Sequence, residues 1–575
     1  MHYRNILRTG TLLLFLTIST NISFSQESGY GKPVEVPMKL SASFCEPRPN
    51  HFHSGIDIKM AAYPRSQRGV SSVADGYVSR IAVSPGGFGN VVYIYHPSTK
   101  ETSVYAHLDS FNEELAKYVR DYQYRNKVFT VNLFPPAEMF PVKKGDRIGI
   151  AGNTGSSGGI HLHFELRNAA QEPVNILRRG TYEIEDTIPP AIVSVSLIEV
   201  DSLYGVPIHT TVKRYPAQKI SDGAYELSEP VSIGKPAYFA VEYVDRMNGV
   251  NNSFGVYETK VDINGETMFR SVTDKMNYAT TKYVNSFTDY NKNRASKYYV
   301  TRSFVTPNNK LNIYKDVKNS GLIHASTEKT DNRAKISLTD DSGNTSAVTF
   351  AIAFTEPAAT EQEKLYNFNE NSHVLAWNKE HRLQTENAEL SIPSQALYDS
   401  DIIDFYENDG TSPYSKTVSV KNLNIPSQKG MKLSVKADVP EKYRNKALMA
   451  KKNGNGKMAS AGGKWNGGIM ETTITDNGDY FIALDTVPPV IRSRQKSDRI
   501  TGSNTVDFTI SDALSGIRSF NGYIDGQWEL FEYDGKNSHI YHRFIRGKEE
   551  KKHDVRIVAE DGKGNIQVYE TSYYW

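Results

Sequence analysis

The sequence predicts a mainly β chain: an antiparallel β-sheet domain with one helical insertion, followed by immunoglobulin-like β-sandwich modules. Three observations carry the prediction. Short strands punctuated by glycine, such as ADGYVSRIAV, GNVVYIYHP, ETSVYAHL and DRIGIAG, fill residues 27–180. A divergent repeat with β patterning runs through the remainder. One stretch in the first part has helical rather than strand periodicity.

Taken in order, the first 25 residues place Arg4 and Arg8 before the apolar run TLLLFLTI, with the small-x-small triplet Ser23, Phe24, Ser25 ahead of Gln26. That reads as a cleaved signal peptide over 1–25, since the apolar run is well short of the ~20 residues that span a bilayer. The next domain is assigned to 26–182. Within it SFNEELAKYVRDYQYR opens with Ser110 and Glu113 at capping-box spacing, and Phe111, Leu115, Tyr118, Val119 and Tyr122 form an apolar stripe. This predicts a helix of about three turns, inside an insertion over about 111–140.

Two segments begin alike, EDTIPP at 185–190 and LDTVPP at 484–489, and each later reaches an Asp-x-x-Gly-Asn turn, Asp340–Asn344 and Asp561–Asn565. These predict an enlarged immunoglobulin-like sandwich over 183–357 and a compact one over 485–575. Between them, 358–484 reads as a β-rich module of unassigned type, with Met431, Leu433 and Val435 alternating against Lys432, Ser434 and Lys436. Its KNGNGKMASAGGKWNGG stretch reads as a flexible loop or linker.

The 575 residues are too many for one core, and a net charge of +2 carries no polyelectrolyte signature, so nucleic acid is not an expected partner. Cys45 is the only cysteine, which excludes an intramolecular disulfide, and its distance from the cleavage site argues against lipid attachment there. The chain is therefore expected to be exported, periplasmic or extracellular, with no integral membrane segment after cleavage.

Chemistry concentrates early, since six of the 14 histidines lie between 51 and 163. HFHSGIDIK at 51–59 and HLHFELR at 161–167 each hold a His-x-His pair. Read as a strand, the second puts His161, His163, Glu165 and Arg167 on one face and Leu162, Phe164 and Leu166 on the other. A catalytic zinc site uses three protein ligands and leaves a position for water. His53 and Asp57 are suitable for two of these ligands and one histidine of the second pair for the third, which leaves a fourth histidine free to move protons.

HSGIDI, ADGYV, GNVVYIYH, YAHL, VKKGDRIGIAGNTG and HLHFELR, in that order over about residues 50–170, resemble the lysostaphin-type zinc metallopeptidases, which include peptidoglycan endopeptidases. The resemblance implies one Zn2+ ion held by His53, Asp57 and His163. It also implies that His161 is the catalytic base and that His107, in YAHL, is its partner. Ser103, Tyr105 and His107 are expected to share one face of their strand. Asn90 and His96 read as a turn residue and a strand-end cap, Glu165 as a support for a metal ligand or a solvated charge, and His51 as a bystander.

The implied function is an exported zinc metalloendopeptidase hydrolysing peptide bonds in peptidoglycan stems or cross-links. An envelope protein partner is left open through the C-terminal sandwiches. Two alternatives stand beside this reading: a secreted protease acting on protein substrates, and a non-catalytic envelope binding or regulatory protein. The long loop KMAAYPRSQRGVSSV after HSGIDI and the 111–140 insertion depart from the family's shorter members.

Overall fold

The computed structural model describes residues 29–325, 331–356, 368–410, 412–452, 456–545, 547 and 550–575. The expected signal peptide lies outside them. No helix among the described residues is long and apolar enough to cross a membrane.

The first domain is built on an eight-stranded antiparallel sheet. At its middle the strand His161–Arg167 lies between Ile56–Lys59 and Glu101–Ala106. Register does the essential work, because His163 sits directly opposite Asp57 on one neighbour and Ala106 on the other. Residues paired across antiparallel strands share a face, so the HSGID and HLHFELR motifs meet by strand pairing alone. The opposite face carries Leu162, Phe164, Leu166 and Tyr105 into a core that also takes Ile56, Ile58, Val78 and Ile94.

The helix spans Glu113–Asn126 and buries Leu115 and Val119 in that same core, while Tyr122 stays exposed. Its cap differs from the sequence expectation. Asn112 caps it, its side chain accepting from the Leu115 N–H at 3.0 Å, because Ser110 belongs to the preceding strand Leu108–Phe111.

The core of the segment that follows interlocks with the first. Phe44, Cys45 and Phe52 pack among Ile192, Val195 and Phe239 of that segment, whose strands join in one 11-stranded sheet where the sequence suggested a sandwich, while its Met247 and Phe254 enter the core of the first domain. Cys45 is buried, which pushes its thiol up and makes it a poor nucleophile. Segment 372–485 forms a six-stranded and a five-stranded sheet, with Met431, Leu433 and Val435 fully buried between them. The stretch expected as a linker is partly strand, Met458–Ser460 and Lys464–Asn466, since each pairs with a neighbour that holds it. Residues 490–574 form two four-stranded sheets around Val506, Phe508 and Ile510.

The repeat is equally visible in three dimensions. Asn344 donates to the Asp340 carboxylate and to the Asp186 carbonyl, at 2.8 and 3.2 Å, and Asn565 does the same to Asp561 and Asp485, at 2.6 and 3.0 Å.

Candidate metal centre

Three groups converge above the sheet. His53 Nε2 lies 3.0 Å from Asp57 Oδ1 and 3.0 Å from His163 Nδ1, and His163 Nδ1 lies 2.9 Å from Asp57 Oδ1. Both histidines are buried. The outer ring nitrogens fix the tautomers. His53 Nδ1 donates to the Ser43 carbonyl at 2.7 Å, and His163 Nε2 donates to Glu165 Oε1 at 3.0 Å. In the neutral form that binds a metal, each ring therefore turns a lone pair inward, and Asp57 presents a third acceptor.

Three acceptors facing one another with no donor between them repel unless a cation joins them. The three ligand atoms lie 2.9–3.0 Å from one another, close enough that one ion would be held by all three. The donor set of two imidazoles and one carboxylate also suits zinc. The electrostatics agree. Burial works against charge on His163, but Asp57 and Glu165 outweigh it and push the ring up to about 9. Burial instead drives His53 down to about 4 against the pull of Asp57, which His53, His161 and His163 hold well below the usual carboxylate range despite its burial. At neutral pH the cluster therefore holds one positive charge, a proton on His163 that a bound cation would displace.

His161 and His107 flank this triangle. His161 Nδ1 donates to the Gly159 carbonyl at 2.9 Å, which leaves Nε2 as an acceptor 3.5 Å from Asp57 Oδ1. His107 Nδ1 donates to the Thr154 carbonyl at 2.8 Å, and its ring centroid lies 4.9 Å from that of His161. Burial, with His163 and His161 adding to it, lowers His107 to about 3, so this ring stays neutral.

His107 does not reach the site by the alternation the sequence suggests. Ala106 pairs with His163 on the site face, while Tyr105 packs against Phe164 beneath the sheet, so continued alternation would bury His107 there. The strand ends at Ala106, and His107 adopts φ +60°, which swings its ring back over the site. Such left-handed geometry in a non-glycine residue stores strain and persists where the surroundings hold it. The carbonyl of Phe88 accepts the His107 N–H at 2.9 Å, and the Phe88 ring stacks on His163. The loop bearing Thr154 approaches so closely that a Cβ at Gly155, φ +70°, would fall 2.4 Å from the Gly89 nitrogen.

Glu165 is buried, and it is not a solvated charge. Besides His163 it accepts from Ser54 Oγ at 2.5 Å, Arg167 Nε at 2.6 Å and the Tyr278 hydroxyl at 2.8 Å. Despite burial, these partners hold it down at about 2. Tyr278 comes from the segment that follows the first domain, and nothing in its local sequence announces this role. Arg48 Nη2, 3.4 Å from Asp57 Oδ2, is a second residue that sequence reasoning missed. Ser54 lay in view inside HSGID. His96 bonds Ser103 and the Asp75 carbonyl, Asn90 ties the turn to Leu108, and His51 is exposed, none of them in the triangle.

The insertion helix runs from this domain to the far end of the chain. Tyr124 meets Trp528 edge-on at 5.6 Å and donates to Glu529 at 2.8 Å, and Lys536 donates to the carbonyl of Asn153, next to the residue that holds His107.

The chain is 31% identical over 131 residues to an uncharacterized metalloprotease of Haemophilus influenzae, covering 22% of each. It is 34% identical over 123 residues to the DD-carboxypeptidase/endopeptidase Mpg of Neisseria meningitidis serogroup B, covering 21% of each. A zinc-containing peptidase from Vibrio cholerae aligns at 28% identity over 26% of this chain and 38% of that one, with a TM-score of 0.18. A model for a Zu5-like domain matches residues 372–485. The chain spans about a fifth of the length of the curated relatives it matches.

Proposed function

We propose that this chain, which carries a region of the lysostaphin-type metallopeptidase family, is an exported zinc-dependent endopeptidase that hydrolyses peptide bonds in peptidoglycan stems or cross-links. The observation that carries the reading is the triangle of inward acceptors, His53 Nε2, Asp57 Oδ1 and His163 Nδ1, which calls for one cation. The name of the Neisseria relative supports peptidoglycan as the substrate class.

A zinc ion held by His53, Asp57 and His163 supplies Lewis acidity for a water nucleophile and for the scissile carbonyl. His161 Nε2 accepts the proton of the attacking water and returns it to the leaving amine. His107 enters as an acceptor as well, because its proton is committed to Thr154. Two neighbouring ring acceptors of this kind would suit the two protons of one water and so orient it. Phe88 stacks on the face of the His163 ring and helps hold it in place.

The test is incubation of zinc-loaded residues 27–575 with purified peptidoglycan, followed by mass analysis of released muropeptides, with casein as a parallel substrate. New peptide termini in the muropeptides are expected. Cleavage of casein alone would move the substrate assignment to proteins, and no cleavage of either with zinc bound would defeat the enzyme reading.

A further inference from the structure

The two β-rich repeats each gather three aspartates, and the two triads differ in how their charge is met. In the C-terminal copy these are Asp485, Asp512 and Asp561; in the first they are Asp186, Asp245 and Asp340, with one ligating oxygen from each lying within 4.8 Å of the other two. The C-terminal triad is satisfied internally. Asp485 accepts from the Ser515 amide, Asp512 from the Leu514 and Gly516 amides, and Asp561 from the Lys563 and Asn565 amides. Burial lowers the Lys563 ammonium, and Asp485 and Asp561, the two nearby carboxylates of the triad, pull it the other way.

In the first copy the position of Lys563 in the Asp-x-x-Gly-Asn turn is Ser342, and the position of Gly562 is a further carboxylate, Asp341. Asp341 has its own partners, since Asn175 donates to it at 2.8 Å and Arg178 draws on it. Asp245 has none of this. It is 1% exposed, and neither of its carboxylate oxygens has a hydrogen-bond partner. Asp186 Oδ2 is likewise buried without a partner. Asp340, like Asp561, accepts from the amides of its own turn, and Asp186 Oδ1 accepts from the Ile188 amide, so the difference between the copies lies in Asp245 and in Asp186 Oδ2. Burial, Asp340 and Asp186 push Asp245 up to about 9, with the Arg246 amide pulling the other way.

We propose that Asp186, Asp245 and Asp340 bind one hard divalent cation of the calcium class, which replaces the lysine used by the C-terminal copy and clamps the metallopeptidase domain to the segment that follows it. An all-oxygen donor set selects such ions over zinc, and two calcium–oxygen bonds of 2.3–2.6 Å span ~5 Å, matching the spread of the carboxylates. The three ligands come from the three pieces of chain that meet at this junction. Asp186 lies in the segment leaving the first domain. Asp245 follows the strand Ala237–Val244 and opens the loop that sends Met247 and Phe254 into the first core, and Asp340 starts the turn on which Asn175 and Arg178 dock.

The inference does not depend on peptidase activity. Zinc-loaded full-length protein, dialysed free of calcium, is titrated with calcium chloride by calorimetry, and its melting temperature is recorded at each calcium level. The wild type is expected to bind one more calcium than Asp245→Asn and to melt higher as calcium rises, whereas the variant shows no shift. A second variant, Ser342→Lys, copies the C-terminal solution. It is expected to raise the melting temperature without calcium and to abolish the calcium response, which keeps the test decisive should Asp245→Asn fail to fold. A wild type that neither binds calcium nor shifts, or a calcium response preserved in both variants, would overturn the proposal.

Discussion

Replacing Glu165 by glutamine is the sharpest probe of how the metal centre is held. The carboxylate accepts from His163, Ser54 and Tyr278 through Oε1 and from Arg167 and Tyr278 through Oε2. Glutamine keeps one acceptor oxygen and turns the other position into a donor. With the amide nitrogen toward Arg167, two donors face each other in a buried setting and the guanidinium loses its partner. Breaking a buried pair in this way costs about 3–5 kcal/mol. With the nitrogen toward His163, the imidazole loses the acceptor that fixes its tautomer. Loss of such a partner lowers metal affinity about 10–100-fold, or ~1.4–2.7 kcal/mol. Both orientations weaken the site. Zinc affinity measured by chelator competition should fall by at least tenfold, and urea denaturation of the zinc-loaded variant should show about 3 kcal/mol lost stability. A variant with zinc affinity within twofold of wild type would refute the claim that Glu165 orients His163.

Five further variants have outcomes set by the same structure. His163→Ala should bind no zinc when metal content is measured after dialysis, whereas His161→Ala should keep its zinc and lose about 10²–10⁴-fold in turnover. Tyr278→Phe removes the hydroxyl that donates to Glu165 and accepts from Arg167, each bond to a charged group worth about 1.5–3 kcal/mol. It should reduce zinc affinity less than Glu165→Gln does, a ranking read by the same chelator competition. Leu115→Ala should destabilise the first domain by about 2–5 kcal/mol in denaturant unfolding, because its side chain is buried in the core. Trp528→Ala removes the ring against Tyr124 and should speed hydrogen exchange in Glu113–Asn126 without changing zinc content.

Much of this architecture is legible in the sequence because strand period and pairing are local rules. HLHFELR forms the strand its alternation predicts, and MKLSVK buries Met431, Leu433 and Val435 as written. The helix is present with Leu115 and Val119 of its stripe inward and Tyr122 exposed, and its cap shifts from Ser110 to Asn112, since two polar residues two apart compete and the strand Leu108–Phe111 takes the first. His107 reaches the site through a left-handed turn and not through alternation, and no period could foresee that. Tyr278 and Arg48 were invisible for another reason. Tyr278 lies 113 residues from Glu165, and they come together only once the two cores interlock. The partners of the aspartate triads were likewise hidden, although the repeat that holds them was plain in EDTIPP and LDTVPP.

The central claim is that one zinc ion, held by His53, Asp57 and His163, serves an amide hydrolysis in which His161 carries the proton. Zinc content and muropeptide release measured on the same preparations of wild type and His161→Ala test it most directly. The account predicts one zinc per chain in both proteins, with new peptide termini appearing only with the wild type. One zinc per chain with equal cleavage by both proteins would contradict the role of His161, and cleavage by a wild type freed of zinc would contradict the metal centre itself.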